Sequence, residues 1–291
     1  MSWEGFVRSN ADLQVTRRTL FDGAVRLVQV VARPPASKRQ ELECQDCNVL
    51  VLPLAGIFVK HDSPRQHVLG TPNHGVFIEA GKSYRVSYPG GIGDECLSIR
   101  FPAGALPTAT DSHALLPPAV MLARNVLWRR FAAGAWDALE VEEVALGVLA
   151  AVLDAARSEG RRRPVRRKQA AERVKEAISL HPERNWRLGE LAKVACLSHW
   201  HLARVFRAEV GESVYAYVLR ARLAKALDAV LDADSDLSAI ALESGFSSHS
   251  HFTARFRALF GVAPAELRQI ARRATAAELR KIVTAERRAR D

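Results

Sequence analysis

The sequence predicts an α+β chain in two parts. A small antiparallel β-barrel or sandwich comes first, with two helices after it, and an all-α half with two helix-turn-helix units follows. Three observations carry this. From Phe21 to Phe101 the text breaks into short β-prone runs separated by turn residues, with no alternation of strand and crossover helix. After Pro117-Pro118 the apolar residues change to a three- and four-residue spacing. Between Leu188 and Arg268 one short pattern is written twice.

The β-prone runs are Ala24 to Val31, Val49 to Lys60 (broken at Pro53 and Gly56), Val76 to Ile78, Tyr84 to Tyr88 and Cys96 to Phe101. Arg33-Pro34-Pro35, Thr71-Pro72-Asn73, Gly81-Lys82 and Pro89-Gly90-Gly91 supply the turns between them. Two helices are expected next. Val120, Leu122, Val126, Leu127 and Phe131 mark one that Gly134 ends; Leu139, Val144, Leu146, Leu149 and Leu153 mark another, from Trp136 to Ala156. Their apolar stripes are read as packing within the chain, against a second copy of it, or both. The expected division is a β domain at 1–112, a helical dimerisation or packing segment at 113–160, a basic linker at 161–168, a double helix-turn-helix domain at 169–270 and a charged helix or tail at 271–291.

The repeat reads LGELAKVACLSHWHLARVFRAEVG from Leu188 to Gly211 and LSAIALESGFSSHSHFTARFRALFG from Leu237 to Gly261. Leu191 matches Ile240, Ala192 matches Ala241 and Leu197 matches Phe246; past one inserted residue, His201 matches His251, Phe206 matches Phe256 and Gly211 matches Gly261. Each copy is expected to form a short helix, a tight turn and a second helix, with Ser235 or Asp236 capping the second copy. The second helix buries Leu202 and Phe206, or Phe252 and Phe256, and leaves its other face free, as a helix entering a major groove must. That face carries His199, Trp200, Ala203, Arg204 and Arg207 in the first copy, and Ser248, His249, Ser250, Thr253 and Arg257 in the second. Arg can pair bidentately with guanine and Trp can pack on sugar or a thymine methyl, so these ten are candidate contacts to double-stranded DNA. The helix between the copies, about 18 residues, would be roughly 27 Å long, comparable to the roughly 34 Å between successive major grooves.

Charge agrees with a polyanion partner but places the excess in the flanks. Residues 1–160 carry 16 Lys and Arg against 17 Asp and Glu, and residues 161–291 carry 26 against 15. Residues 169–270 carry only 13 against 12, so the surplus sits in RRRPVRRK (Arg161 to Lys168) and in the tail after Ile270. Four cysteines do not make a disulfide framework, which predicts a reducing, cytoplasmic setting. The longest apolar runs, Val49 to Val59 and Val144 to Ala156, are too short to span a bilayer, so no membrane partner is expected.

The strings LSHWHLARVF, GESVYAYVLRARL and GFSSHSHFTARFRALFGVAP, with Arg268 downstream, closely resemble the AraC/XylS family of bacterial transcription regulators. The likeness covers residues 167–270 and implies a seven-helix domain. Carried over, Trp200 and Arg204 take base-contacting positions on the first recognition helix, and His249, Ser250 and Thr253 take those on the second. Arg207 and Arg257 fall nearer the phosphates. Three positions depart from the pattern: Val214 stands where the family usually has Pro, Leu267 where it often has Tyr, and Ala254 where some members place a contacting Arg. The last weakens base reading by the second unit. HGVFIEAGKSYRVSYPGGIGDECLSIRF resembles, more loosely, a cupin-type regulatory domain. The resemblance implies a homodimer controlled by a small-molecule or ion effector, with RNA polymerase as a further partner and no cofactor.

Other readings rest on fewer residues. Cys44-x-x-Cys47, with Cys96 or His61, offers a metal or redox site, although a lone C-x-x-C lacks the partners of a four-ligand site. His61, His74 and Glu79 would be the ligands if the β half were a metal-dependent oxygenase or isomerase, but no His-x-His pair is present. The helix-turn-helix pair could also serve as a scaffold that binds protein. Cys196, aligned with Gly245, is expected to pack in the turn of the repeat.

Overall fold

Runs of Val, Leu and Phe between turn residues make the first part of the chain extended. A computed structural model describes residues 14–33, 42–63, 66–106, 112–134, 137–158, 165–232 and 235–273. The strands are β1 (Gln14–Asp22), β2 (Arg26–Arg33), β3 (Glu43–Cys44), β4 (Asn48–Gly56), β5 (Phe58–Ser63), β6 (Gln66–Gly70), β7 (His74–Ile78), β8 (Ser83–Ser87), β9 (Asp94–Phe101) and β10 (His113–Leu115). They form two antiparallel sheets, one of six strands in the order β1-β2-β9-β4-β7-β10 and one of four in the order β3-β8-β5-β6.

Both faces of the larger sheet are covered at its central strands, whereas the edge strand β1 is largely exposed. Leu27, Ile99, Leu50 and Phe77 stand in register across four strands and pack under the helices that follow. Val49, Val51, Val76, Ile78 and Cys96 point the other way, into a core shared with Phe58, Val68 and Tyr84 of the smaller sheet. A strand buried on both sides reads as a continuous apolar run, which is why Asn48 to Leu52 shows no alternation. Pro53 does not end this strand. It sits at a bulge where the β4–β9 register shifts, a place that needs no N–H donor, and the break between β4 and β5 falls after Gly56. β1, β6 and β10 fall outside the β-prone runs marked in the sequence, β6 and β10 because they hold few such residues.

Two helices, α1 (Pro118–Ala133) and α2 (Ala138–Ser158), cover the larger sheet. α1 is internal, with Val120, Met121, Leu122, Ala123, Val126 and Leu127 all buried. Arg124 is fully buried within it and donates to the carbonyls of Pro53 and Pro72 and to Asn125 Oδ1. Burial lowers its pKa to about 10, which still leaves it a cation. α2 is one-sided, burying Val141, Val144, Val148 and Val152 while Leu139 and Leu146 are exposed.

The remaining helices are α3 (Val165–Leu180), α4 (Leu188–Ala195), α5 (His199–Val210), α6 (Val214–Leu231), α7 (Leu237–Glu243), α8 (His249–Phe260) and α9 (Pro264–Arg273). Of the basic run 161–168, residues 161–164 and the side chains of 165–168 lie outside the described residues, as does the tail beyond Arg273. The first unit has its own core, in which Val174 and Ile178 of α3 meet Leu191, Leu202, Phe206, Tyr217 and Val218. The second unit shares one continuous core with α1 and α2, through Leu223, Leu227, Phe252, Phe256 and Phe260. Arg129 of α1 clamps Asp228 of α6 with bonds of 2.7 and 2.9 Å.

The β half also meets the first unit at a buried polar joint. The His74 ring lies 6.2 Å from the Tyr217 ring, which stands edge-on to Phe206 of α5 at 5.6 Å. Thr71 Oγ1 bonds His74 Nδ1 at 2.9 Å, and Lys175 pairs with Glu172 at 2.8 Å beside them. Burial first, then the charge of Lys175, then His113 and Arg220, hold His74 neutral well below its ordinary value of 6.5. A histidine with a depressed folded pKa contributes stability that is present above its unfolded pKa and is lost as pH falls from that value toward the folded one, because the unfolded chain takes up the proton first. Urea unfolding should therefore show the protein losing about 1 kcal/mol more than His74→Gln between pH 7.5 and pH 5.5. Equal losses in the two proteins would place His74 outside the titrating set.

Candidate nucleic-acid interface

Each recognition helix is fixed at both ends by the same devices. Ser198 Oγ accepts from the His201 N–H at 3.3 Å to start α5, and Ser248 Oγ accepts from the His251 N–H at 3.2 Å to start α8. Gly211 and Gly261 close them, donating to the Arg207 and Arg257 carbonyls at 3.0 and 2.9 Å. Both helices are 12 residues long, so the inserted residue is absorbed in the turn before α8, at Ser247. Asp236 caps α7, accepting from the N–H groups of Ser238 and Ala239.

Burial follows from this common register. Leu202, Val205 and Phe206 of α5 face inward, as do Phe252, Phe256 and Phe260 of α8, whose rings step along the helix 4.6 to 5.6 Å apart. The opposite faces are open. His199, Trp200, Ala203, Arg204 and Arg207 are all exposed on α5, and Trp200 is 80% exposed with its ring 5.4 Å from that of His199. An indole that open gains nothing from folding and is available to a partner. Arg204 and Arg207 have no acidic partner among the described residues.

On α8 the exposed set is Ser248, His249, Ser250 and Arg257, with Thr253 half-buried and bonded to His249 Nε2 at 3.4 Å. Ser248 also serves as the helix cap, which uses its oxygen as acceptor and leaves its hydrogen to donate. Ala254 presents a methyl where Arg204 stands in the first unit, so the second surface is smaller and less charged.

The turns differ in one costly residue. Cys196 holds a left-handed conformation at φ 55°, and Gly245 holds the same region at φ 85° in the second unit. The alignment of these two positions was visible in the sequence, but Cys196 is exposed and does not pack as expected. Its reason is conformational, since a side chain in this region costs about 1–2 kcal/mol and glycine pays none of it. Cys196→Gly should stabilise the protein by about 1 kcal/mol in urea unfolding. No change in the midpoint would mean the turn relaxes without it.

The proposed metal sites are not assembled. Cys44 is exposed, whereas Cys47 and Cys96 are buried between the sheets, where burial raises both thiols. Cys96 donates to Asp94 Oδ2 at 2.5 Å, and His61 bonds Ser87 Oγ at 2.8 Å. His74 is sealed in the joint and Glu79 pairs with Lys82 at 2.6 Å. Among the described residues no group of three or more His, Cys, Asp or Glu stands where it could hold a metal ion. Cys47 and Cys96 thus share one core while Cys44 stays outside it, and His61, His74 and Glu79 each have a different partner. Among the same residues no helix is long and apolar enough to cross a membrane.

Comparison with known proteins converges on the helical half. A family model described as a helix-turn-helix domain matches residues 191–270. The probable transcriptional regulator LumQ of Photobacterium leiognathi is 34% identical over 87 residues, 30% of this chain and 35% of that protein. A putative AraC-like transcription regulator of Streptomyces lividans is 31% identical over 88 residues, 30% of this chain and 29% of its own length. These matches span about a third of each relative. The probable transcription factor PqrA of Proteus vulgaris is 34% identical over 83 residues, which is 28% of this chain but 68% of that shorter protein. With both recognition helices in the matched region, the chain belongs to the AraC family of helix-turn-helix transcription regulators.

Proposed function

We propose that the protein is a sequence-specific DNA-binding transcription regulator whose helices α5 and α8 enter adjacent major grooves of promoter DNA. The observation that carries this is the pair of open faces, in one capped register, at the two ends of the 18-residue α6. Arg204 and Trp200 read bases in the first groove. His249, Ser250 and Thr253 read fewer in the second, and Arg207 and Arg257 hold phosphates. His199 and Ala203 border the first contact and Ser248 the second. Because 169–270 is nearly neutral, the basic run at 161–168 supplies non-specific attraction.

The rest of the chain is read as control. His74, Tyr217 and Phe206 form a contiguous route from the β half to the core beneath α5, which supports regulation by an effector bound to that half. Leu139 and Leu146 are exposed seven residues apart on α2, and the half-buried Leu153 continues the row. That spacing fits a homodimer built on α2, with RNA polymerase as a further partner on DNA.

Two measurements test this reading. Arg204→Ala should cost about 1–3 kcal/mol on a selected operator and relax the choice at one base pair. Arg207→Ala should instead weaken all sequences alike and lower the salt slope by about 1. An Arg204→Ala protein that kept wild-type affinity and selectivity would remove α5 from the groove. For the dimer, Leu139→Glu with Leu146→Glu should turn a two-chain species into a monomer in sedimentation equilibrium; a dimer of unchanged strength would place the contact elsewhere.

A further inference from the structure

Helix α6 carries one charge that its pattern does not explain. Val218, Leu219, Ala221, Leu223 and Ala224 are all buried, and Arg222 sits among them at 8% exposure. A cation there must be held by something, because an unsatisfied guanidinium in an apolar setting costs several kcal/mol. Arg222 is held by three successive carbonyls. Its Nε donates to Pro182 at 2.9 Å, and its Nη2 to Arg184 at 3.0 Å and Glu183 at 3.5 Å. These carbonyls belong to the connection between α3 and α4, within the first unit.

The same connection is touched by the second unit. Arg222 lies 5.9 Å from the ring of Phe246, in the turn before α8. Gly245, next to it, comes so close that a Cβ there would fall 2.4 Å from the Glu183 carbonyl oxygen. Lys225, one turn along α6, pairs with Glu183 at 2.8 Å. The segment Pro182 to Arg184 is thus gripped by the shared helix on one side and by the turn of the second unit on the other.

We propose that Arg222 is a positioning residue that fixes the separation and relative angle of α5 and α8, and so sets the half-site spacing the protein accepts. The proposal rests on the reading that both helices enter DNA. Arg222 touches no base; it acts by preventing the first unit from rotating about α6 relative to the second. Inserting one base pair between half-sites turns one groove by roughly 35° relative to the other. A rigid pair cannot follow that turn, and a loosened pair can.

The test uses the full chain and a duplex selected from a random library by the wild-type protein, with one base pair added or removed between the half-sites. Arg222→Met keeps the packed stem and removes the three hydrogen bonds. Wild type should favour the selected spacing over either altered one by at least about tenfold, and Arg222→Met should reduce that ratio to about twofold. Each half-site alone should bind both proteins equally, which separates lost positioning from lost folding. Arg222→Lys, which keeps a donor, should fall between them. Should Arg222→Met prove too unstable, Gly245→Ala displaces the same segment from the other side and should likewise change the spacing ratio. A ratio equal to wild type in a folded variant would overturn the role of Arg222. If wild type itself ignored spacing, the two-groove reading would fail, and this assignment with it.

Discussion

Burial of α6 on nearly all sides is the constraint on which the rest of the structure depends. Eleven of its eighteen residues are buried, more than a one-sided surface helix allows. Three bodies supply that cover. The first unit lies on Tyr217, Val218 and Ala221, the second on Leu223, Leu227 and Val230, and α1 packs alongside. Apolar contact supplies most of the free energy but fixes angle poorly, because it is non-directional. The charges on α6 supply direction. Arg220 reaches the Leu116 carbonyl at the edge of the β half, Arg222 reaches the first unit's connection, and Asp228 receives Arg129 from α1. The first unit and α1 are thus each addressed by a different hydrogen-bonded charge, and Arg220 adds the edge of the β half.

The two units are alike in sequence but attached differently. The second is fused to α1 by a continuous core of phenylalanines and leucines, so separating them would expose large apolar surface at about 25 cal/mol per Å². The first meets the β half through the polar group His74, Thr71, Lys175 and Tyr217, beside an apolar patch where Leu180 of α3 packs on Ile57, Val59 and Leu69. Breaking a polar contact costs less when water replaces the partners, provided every group is rehydrated. In the proposed function, α5 is the stronger reader.

Much of this was legible in the sequence for a physical reason. The repeat is visible because both units must place the same apolar residues under a helix of the same length, and Leu202 with Phe206 and Phe252 with Phe256 do so. The exposed faces follow by geometry once those residues are assigned inward. What could not be read were features made by contact between distant segments. β6, with few β-prone residues of its own, is held as a strand by pairing with β5. His61, His74 and Glu79, weighed as a ligand set without a His-x-His pair, lie on β5, on β7 and just after β7, each with a different partner. Arg222 left a signal, a charge among apolar neighbours on a helix, but its three acceptors lie about forty residues away.

Near-neutrality of the reading domain gives that geometry its weight. A strongly basic domain can bind DNA through phosphates alone and tolerate one badly placed helix. With 13 basic residues against 12 acidic ones in 169–270, this domain has little such reserve. Its second surface is further reduced by Ala254. Two modest contacts become one strong one only when both are made at once, since the first then presents the second at high effective concentration. That gain vanishes if the helices cannot reach both grooves together. Affinity and selectivity are then governed by how firmly α5 and α8 are held relative to each other, and Arg222, Gly245 and the segment Pro182 to Arg184 hold them.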